Sequence, residues 1–476
     1  MAFSLNQILW AIVGILIGVL IAGILIFIIF LLSGLSAKQS RHKRIIQKIE
    51  NAKALIKENM VNDALIIITD LINNYSLEED VELNGETKRL LGDCFNSLYV
   101  TTKRNEYIFK AISAYEDAIK LLSSRALKED LAYVYFILGR LYINAGEITN
   151  HTANLNKAIY NLEVCLAIAN KQEINSKDRA PIHYNLGIAF YNLTIFENTS
   201  DNIQKGIKHL IIAGDYYGED AYPKNHAEIY KFIGELYNKL SDIEEKENNL
   251  SKSIKALRKA QQVYSKINQN KESALILREL AQIYIKLSFL QDKENNLMNA
   301  LVLYNEALKF FTFDRDSDKF IEINKSIADV YLQFFSITNN KDNLIKAKEA
   351  YLEMLNAYEL LLNPNKKSEI MILIGDLLVK LYGCVNTEEP LKEAIEYYQK
   401  ALEIKTKEAF PFEYGQIKHK IGDLYKKTAK LSNWSTNIAN ARIAYMEALK
   451  HFPFDKYPLW HREVVNSLEE IDRIML

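Results

Sequence analysis

Three cysteines and eight histidines are the residues of this chain whose types could ligate a metal or attack a carbonyl carbon. Cys94, Cys165 and Cys384 stand far apart, with no CxxC and no Cys/His spacing suited to zinc, so no metal site is expected. The histidines are scattered, and His183 and His419 fall on expected helices, where a packed or solvated imidazole is the ordinary state. Neither GxSxG nor HExxH occurs, and no Gly-x-Gly or Gly-Lys pair is available to build a phosphate loop. Nucleophilic, metallohydrolase and nucleotide chemistry in their usual forms are excluded, and neither a catalytic residue nor a cofactor is expected.

What remains is surface, and the composition is that of a folded chain able to carry one. Of 476 residues, 49% are hydrophobic and 25% charged, while 17 Gly and 7 Pro are too few for a loop-rich all-β protein. The net charge of -1 is uneven: Lys38, Arg41, Lys43 and Arg44 carry +4, leaving -5 on residues 45–476. A mildly acidic body argues against a nucleic-acid partner, which selects a basic face. Few, dispersed cysteines suit a reducing compartment.

The elements that position this surface repeat. Small residues preceded by Leu or Ile stand at 92, 139, 187, 234, 281, 328, 375 and 422, at intervals of 47, 48, 47, 47, 47, 47 and 47. Three residues after each comes an aromatic or aliphatic residue, such as Tyr142, Phe190, Tyr237 or Tyr425. A second landmark follows 19 residues after the first: a small residue with a large apolar one at +4 and a small or apolar one at +7, as in Ala111/Tyr115/Ala118, Ser253/Leu257/Ala260 and Ala394/Tyr398/Ala401. Spacings of 3, 4 and 7 mark one helix face, so each repeat is a pair of helices, here A and B. Asn154, Asn202, Asn249, Asn296, Asn343 and Asn437, each four residues before the second landmark, are expected to start or cap helix B. The three cysteines map to helix interiors and are expected to be small core residues.

These landmarks resemble the tetratricopeptide repeat family, whose unit of about 34 residues places Gly and Tyr three apart in helix A and Ala, Phe and Ala at spacings of 4 and 7 in helix B. The 47-residue unit is similar to the elongated variety, of which residues 390–425, PLKEAIEYYQKALEIKTKEAFPFEYGQIKHKIGDLY, are typical. About seven residues added within each hairpin amount to about two helical turns, so each helix is expected to be about a turn longer. The resemblance covers residues 45–475 and implies an all-α, right-handed superhelical solenoid. Its parts are a short irregular first hairpin at 45–80 (Ala52, Leu55, Ala64, Ile68, Leu71), eight repeats at 81–458 and a C-terminal capping helix at 459–476.

The resemblance also implies a concave groove lined by helix A, at positions three before and one, four and five after the small residue. Arg89/Asp93, Lys231/Glu235, Lys325/Asp329 and His419/Asp423 set a cation four residues before an acid, either toward that groove or as a surface ladder of about 0.2–0.5 kcal/mol per pair. Tyr133, Phe136, Ile143, Tyr184, Ile188 and Tyr191 break the pattern with aromatic and aliphatic side chains and are the candidate partner-binding residues; packing between the long helices is their other reading.

Ahead of the repeats, residues 1–37 carry no charged side chain, and residues 8–32 are almost entirely aliphatic. As a helix that run is about 37 Å long against a hydrocarbon core of about 30 Å, so a transmembrane anchor is expected over 1–37, with a basic juxtamembrane stalk at 38–44. A cleaved signal peptide would need a charged leading segment, which is absent. Lys38, Arg41, Lys43 and Arg44 would hold the stalk at the membrane surface, leaving the N-terminus outside and the repeats cytoplasmic. Gly14, Gly18 and Ala22 form a small-residue stripe suited to helix–helix association, although small residues are also frequent in any membrane helix. The expectation is a single-pass membrane scaffold that recruits a protein or peptide partner into its groove, or, alternatively, a self-associating component forming a homo-oligomer.

Overall fold

The computed structural model describes residues 5–75, 77, 80–122, 128–172 and 176–475. Every regular element among them is an α-helix, and the helices follow one another as antiparallel hairpins. The chain divides into two compact units, residues 1–217 and 218–476.

In the first unit, α1 (Leu5–Lys57) turns back through α2 (Val61–Asn74), burying Ile45, Ile49 and Ala52 against Ala64, Ile68 and Leu71. Three hairpins follow: α3 (Val81–Thr102) with α4 (Glu106–Leu122), α5 (Lys128–Ile148) with α6 (His151–Lys171), and α7 (Ser176–Leu193) with α8 (Ser200–Tyr216). Their core holds Tyr115, Leu138, Leu155, Leu162 and Leu186.

The second unit contains α9 (Pro223–Ser241) with α10 (Lys246–Lys266), α11 (Asn270–Ser288) with α12 (Lys293–Leu308), α13 (Ser317–Thr338) with α14 (Lys341–Leu360), α15 (Pro364–Val385) with α16 (Glu389–Ile404), and α17 (Pro411–Ala429) with α18 (Trp434–Leu449). Within the unit, each hairpin packs on the next through its B helix, as α10 does on α11 and α14 on α15. A last helix, α19 (Pro458–Met475), buries Val464 and Ile471 and sets Trp460 against Phe412 and Phe452.

Local chemistry explains the helix boundaries. Pro223, Pro364, Pro390 and Pro411 occupy the first turns of their helices, where a missing N–H costs nothing. Asp80, Thr199, Asp316 and Asn363 accept a backbone N–H as N-caps. Asn150, Asn339, Asn386 and Asn433 take the left-handed backbone conformation that the turns between A and B helices require.

The asparagines before the second landmark, expected to start or cap helix B, stand in its first turn, and other residues occupy the N-cap. Asn154, Asn249, Asn296 and Asn437 lie inside its first turn and donate from the side-chain amide to the carbonyl five residues earlier, at 2.7–2.8 Å. The capping residue would have accepted an N–H; these donate to an orphan carbonyl and so clamp the turn.

The expected membrane anchor is corrected. Among the described residues no helix is long and apolar enough to cross a membrane. The single-pass localisation, with its outside N-terminus and cytoplasmic repeats, therefore does not stand. Ala22 is exposed, Gly14 and Gly18 lie outside the described side chains, and Lys38, Lys43 and Arg44 are exposed turns of the same helix, with Arg41 half-buried.

Candidate functional site

The site begins with how closely the two helices of a hairpin approach. A Cβ added at Gly234 would stand 2.5 Å from Leu257 Cγ, and one at Gly375 would stand 2.5 Å from the Tyr398 ring. The same contact joins Gly92 to Tyr115, Gly139 to Leu162, Gly187 to Leu210 and Gly422 to Tyr445. Each of these six landmark glycines thus receives the large side chain 23 residues on, which the 19-residue step and the +4 spacing had placed on the facing helix.

The large residue divides the hairpins. Where it is tyrosine opposite glycine, the residue after the glycine is aspartate, and the hydroxyl donates to it at 2.6 Å: Tyr115 to Asp93, Tyr398 to Asp376 and Tyr445 to Asp423. Burial, reinforced by the carboxylate, pushes these three phenols far above their ordinary range, so they remain donors. Burial likewise raises Asp93, against the pull of Arg89, its ion-pair partner at 2.9 Å.

The six sequence candidates of the first unit occupy different environments. Tyr133 is 42% exposed, yet its hydroxyl donates to Asp93 at 3.1 Å, and burial raises it to about 12. Phe136 is half-buried beneath the Arg140 guanidinium. Ile143 is 5% exposed and belongs to the core, against which Ile188 also packs. Tyr184 is half-buried and meets Tyr217 edge-on, while the Tyr191 carbonyl accepts the Thr194 hydroxyl at 2.7 Å. Of the charge pairs, Arg89–Asp93 and Lys231–Glu235 close as ion pairs, whereas His419 turns to Ser467 and the Tyr445 and Trp460 rings.

In the second unit α13, α15 and α17 enclose a cleft of about 490 Å³. Leu332, Leu373, Leu377 and Leu424 make its apolar wall. Its polar groups are Asp376, Asp423, Lys380, Lys420 and Lys427, with Lys420 paired to Asp376. The cation-before-acid spacing does not mark Lys380 and Lys427, although another signal does: the fifth position after the small residue is Lys at 239, 286, 380 and 427, and Asn at 144 and 192. Glu279 of α11 is pushed well above the usual carboxylate range, by burial first and by Glu235 second.

The remaining candidates for chemistry are structural. His183 Nδ1 and His209 Nδ1 lie 2.9 Å apart across the α7–α8 hairpin, and His209 stacks on Phe190. Among the described residues no three His, Cys, Asp or Glu side chains converge in a metal-binding cluster. Cys94 and Cys165 are buried and their thiols are raised to about 12 by burial, but Cys384 is exposed, contrary to its expected place in the core.

No family model matches the chain, and no curated protein matches it. Solved structures similar to it include the C-terminal part of a TPR repeat-containing protein from Cytophaga hutchinsonii, 15% identical over 65% of this chain and 95% of that one, with a TM-score of 0.41. A signal transduction ATPase with a tetratricopeptide repeat sensor from Pyrococcus horikoshii is 14% identical over 86% of this chain and 55% of that one, at a TM-score of 0.38. Aspartyl phosphate phosphatase F from Bacillus subtilis is 14% identical over 86% and 93%, at 0.36. With TM-scores below 0.5, these likenesses add nothing to what the hairpins themselves display.

Proposed function

We propose that this chain is an interaction scaffold of the tetratricopeptide kind, with eight repeats over 81–458 between a first hairpin and a capping helix, and that its A-helix face receives an extended or helical segment of a partner protein. The observation that carries this reading is the cleft between α13, α15 and α17, where an apolar wall lies beside Lys380 and Lys427. Apolar floor with a few placed charges is the composition of a recognition site. In the first unit, Tyr133, Phe136, Tyr184, Ile188 and Tyr191 are the proposed contacts, with Ile143 supporting them from the core.

The test is crosslinking and pull-down from native extracts with three forms of the full chain: wild type, Lys380→Ala/Lys427→Ala and Tyr133→Ala/Tyr184→Ala. Loss of the same captured protein in either double variant supports the reading. An unchanged captured set in both removes the A-helix face as the partner site. Self-association, the alternative, predicts instead a concentration-dependent mass in sedimentation.

A further inference from the structure

The turns between A and B helices of the second unit carry large apolar side chains on the protein surface. Ile243 is 44% exposed, Phe289 68% and Trp434 48%, with Leu290, Ile337 and Leu431 beside them also exposed. Residues 243, 290 and 337 are 47 apart, and 431 follows two repeats later, so the same point of the hairpin recurs as an apolar ledge. These turns are held rather than loose: Asn249, Asn296 and Asn437 clamp three of them from within helix B. Lys286 near the end of α11 reaches both carboxylate oxygens of Asp242 at 3.0 Å, which ties consecutive turns side by side.

Charge selects the occupant. Residues 242–247 hold four carboxylates against Lys246, with Asp242 also paired to Lys286, residues 292–294 hold two against Lys293, and Glu388–Glu389 add two more, of which Glu388 pairs with Lys392 at 3.0 Å. A second copy would bring the same sign to the interface, and like charges juxtaposed there are unfavourable. A basic segment brings the complement. Along an α-helix, residues seven apart share one face about 10.5 Å from each other, so a single apolar stripe can offer one side chain to each successive turn. We propose that the turn edge of the second unit docks a basic amphipathic helix of a partner protein, apolar residues at seven-residue spacing seating on Ile243, Leu290 and Ile337 and flanking Lys or Arg meeting the acidic rim. This surface is distinct from the A-helix cleft and does not depend on it.

The experiment uses the full chain and a fluorescent synthetic helix of about 25 residues, with Leu at heptad spacing and Lys or Arg elsewhere. Anisotropy titration at physiological salt is compared with a Glu-for-Lys analogue and with a peptide of the same composition but shuffled Leu positions. The expected result is binding of the basic heptad peptide alone, weakened about tenfold by Phe289→Ser/Leu290→Ser, which corresponds to about 1.4 kcal/mol, and unchanged by Lys380→Ala/Lys427→Ala. Ile243→Ser repeats the measurement at the neighbouring turn should the double variant lose its fold. Equal binding of the acidic or shuffled peptide overturns the proposal. So does unaltered binding to the serine variants, or a dimer of the wild-type chain that those variants abolish.

Discussion

The α9–α10 and α15–α16 hairpins share one backbone spacing and fill it with different chemistry. In the first, Gly234 lies against Leu257 and is followed by Glu235; in the second, Gly375 lies against Tyr398, whose hydroxyl reaches Asp376. The association holds at the other glycine repeats: Asp93 and Asp423 accompany tyrosine, while Arg140 and Ile188 accompany leucine. A phenol driven into so close a contact must lodge its hydroxyl, because a buried donor without an acceptor costs about 1–3 kcal/mol. In the leucine-type α7–α8 hairpin the polar link across the helices is the His183–His209 bond instead. The difference teaches that the missing Cβ fixes the gap, whereas the polar bond across it is exchangeable.

The strongest way to break this comparison is Leu257→Ala. Leu257 is fully buried against Gly234, and its truncation leaves a cavity between the two helices. A loss of about 3 kcal/mol is expected, read as lost hydrogen-exchange protection in α9 and α10. Next is acidification of the α7–α8 hairpin. Burial, then His183 and Lys208, lowers His209 to about 4, and burial with Arg179 and Lys208 lowers His183. Each folded-state value lies below the ordinary 6.5, so the neutral pair stabilises fully above that value and loses its contribution as pH falls toward about 4. From about pH 7.5 to about pH 5 the hairpin should lose about 2 kcal/mol, and His209→Phe should flatten that dependence. The smallest effect is expected from Tyr398→Phe: about 1 kcal/mol, since the ring still fills the gap and Lys420 still pairs with Asp376. A urea-denaturation loss as large as that of Leu257→Ala would mean that the hydroxyl, not the ring, holds the tyrosine hairpins together.

Much of this was legible beforehand because close packing imposes arithmetic. The 23-residue distance from glycine to its knob follows from the repeat landmarks, and helices of 19 and 21 residues in α9 and α10 account for the long unit without a loose insertion. Side-chain direction was less legible. Ile143 occupies a nominal groove position yet is core. Tyr133 combines exposure with a structural hydrogen bond, which spacing alone does not reveal. The asparagine clamps escaped because capping rules look for acceptors of N–H, and here the amide is the donor. The apolar run at the N-terminus read as a span from its unbroken length, whereas among the described residues no helix is long and apolar enough to cross a membrane.

Cys384 sits at the close of α15, exposed, while the other two thiols are sequestered and hard to ionise. Since the thiolate is the reactive form, a maleimide dye at neutral pH should label one position of the unaltered chain, next to the turn edge. The native sequence therefore already carries a selective handle for following by fluorescence whatever settles there.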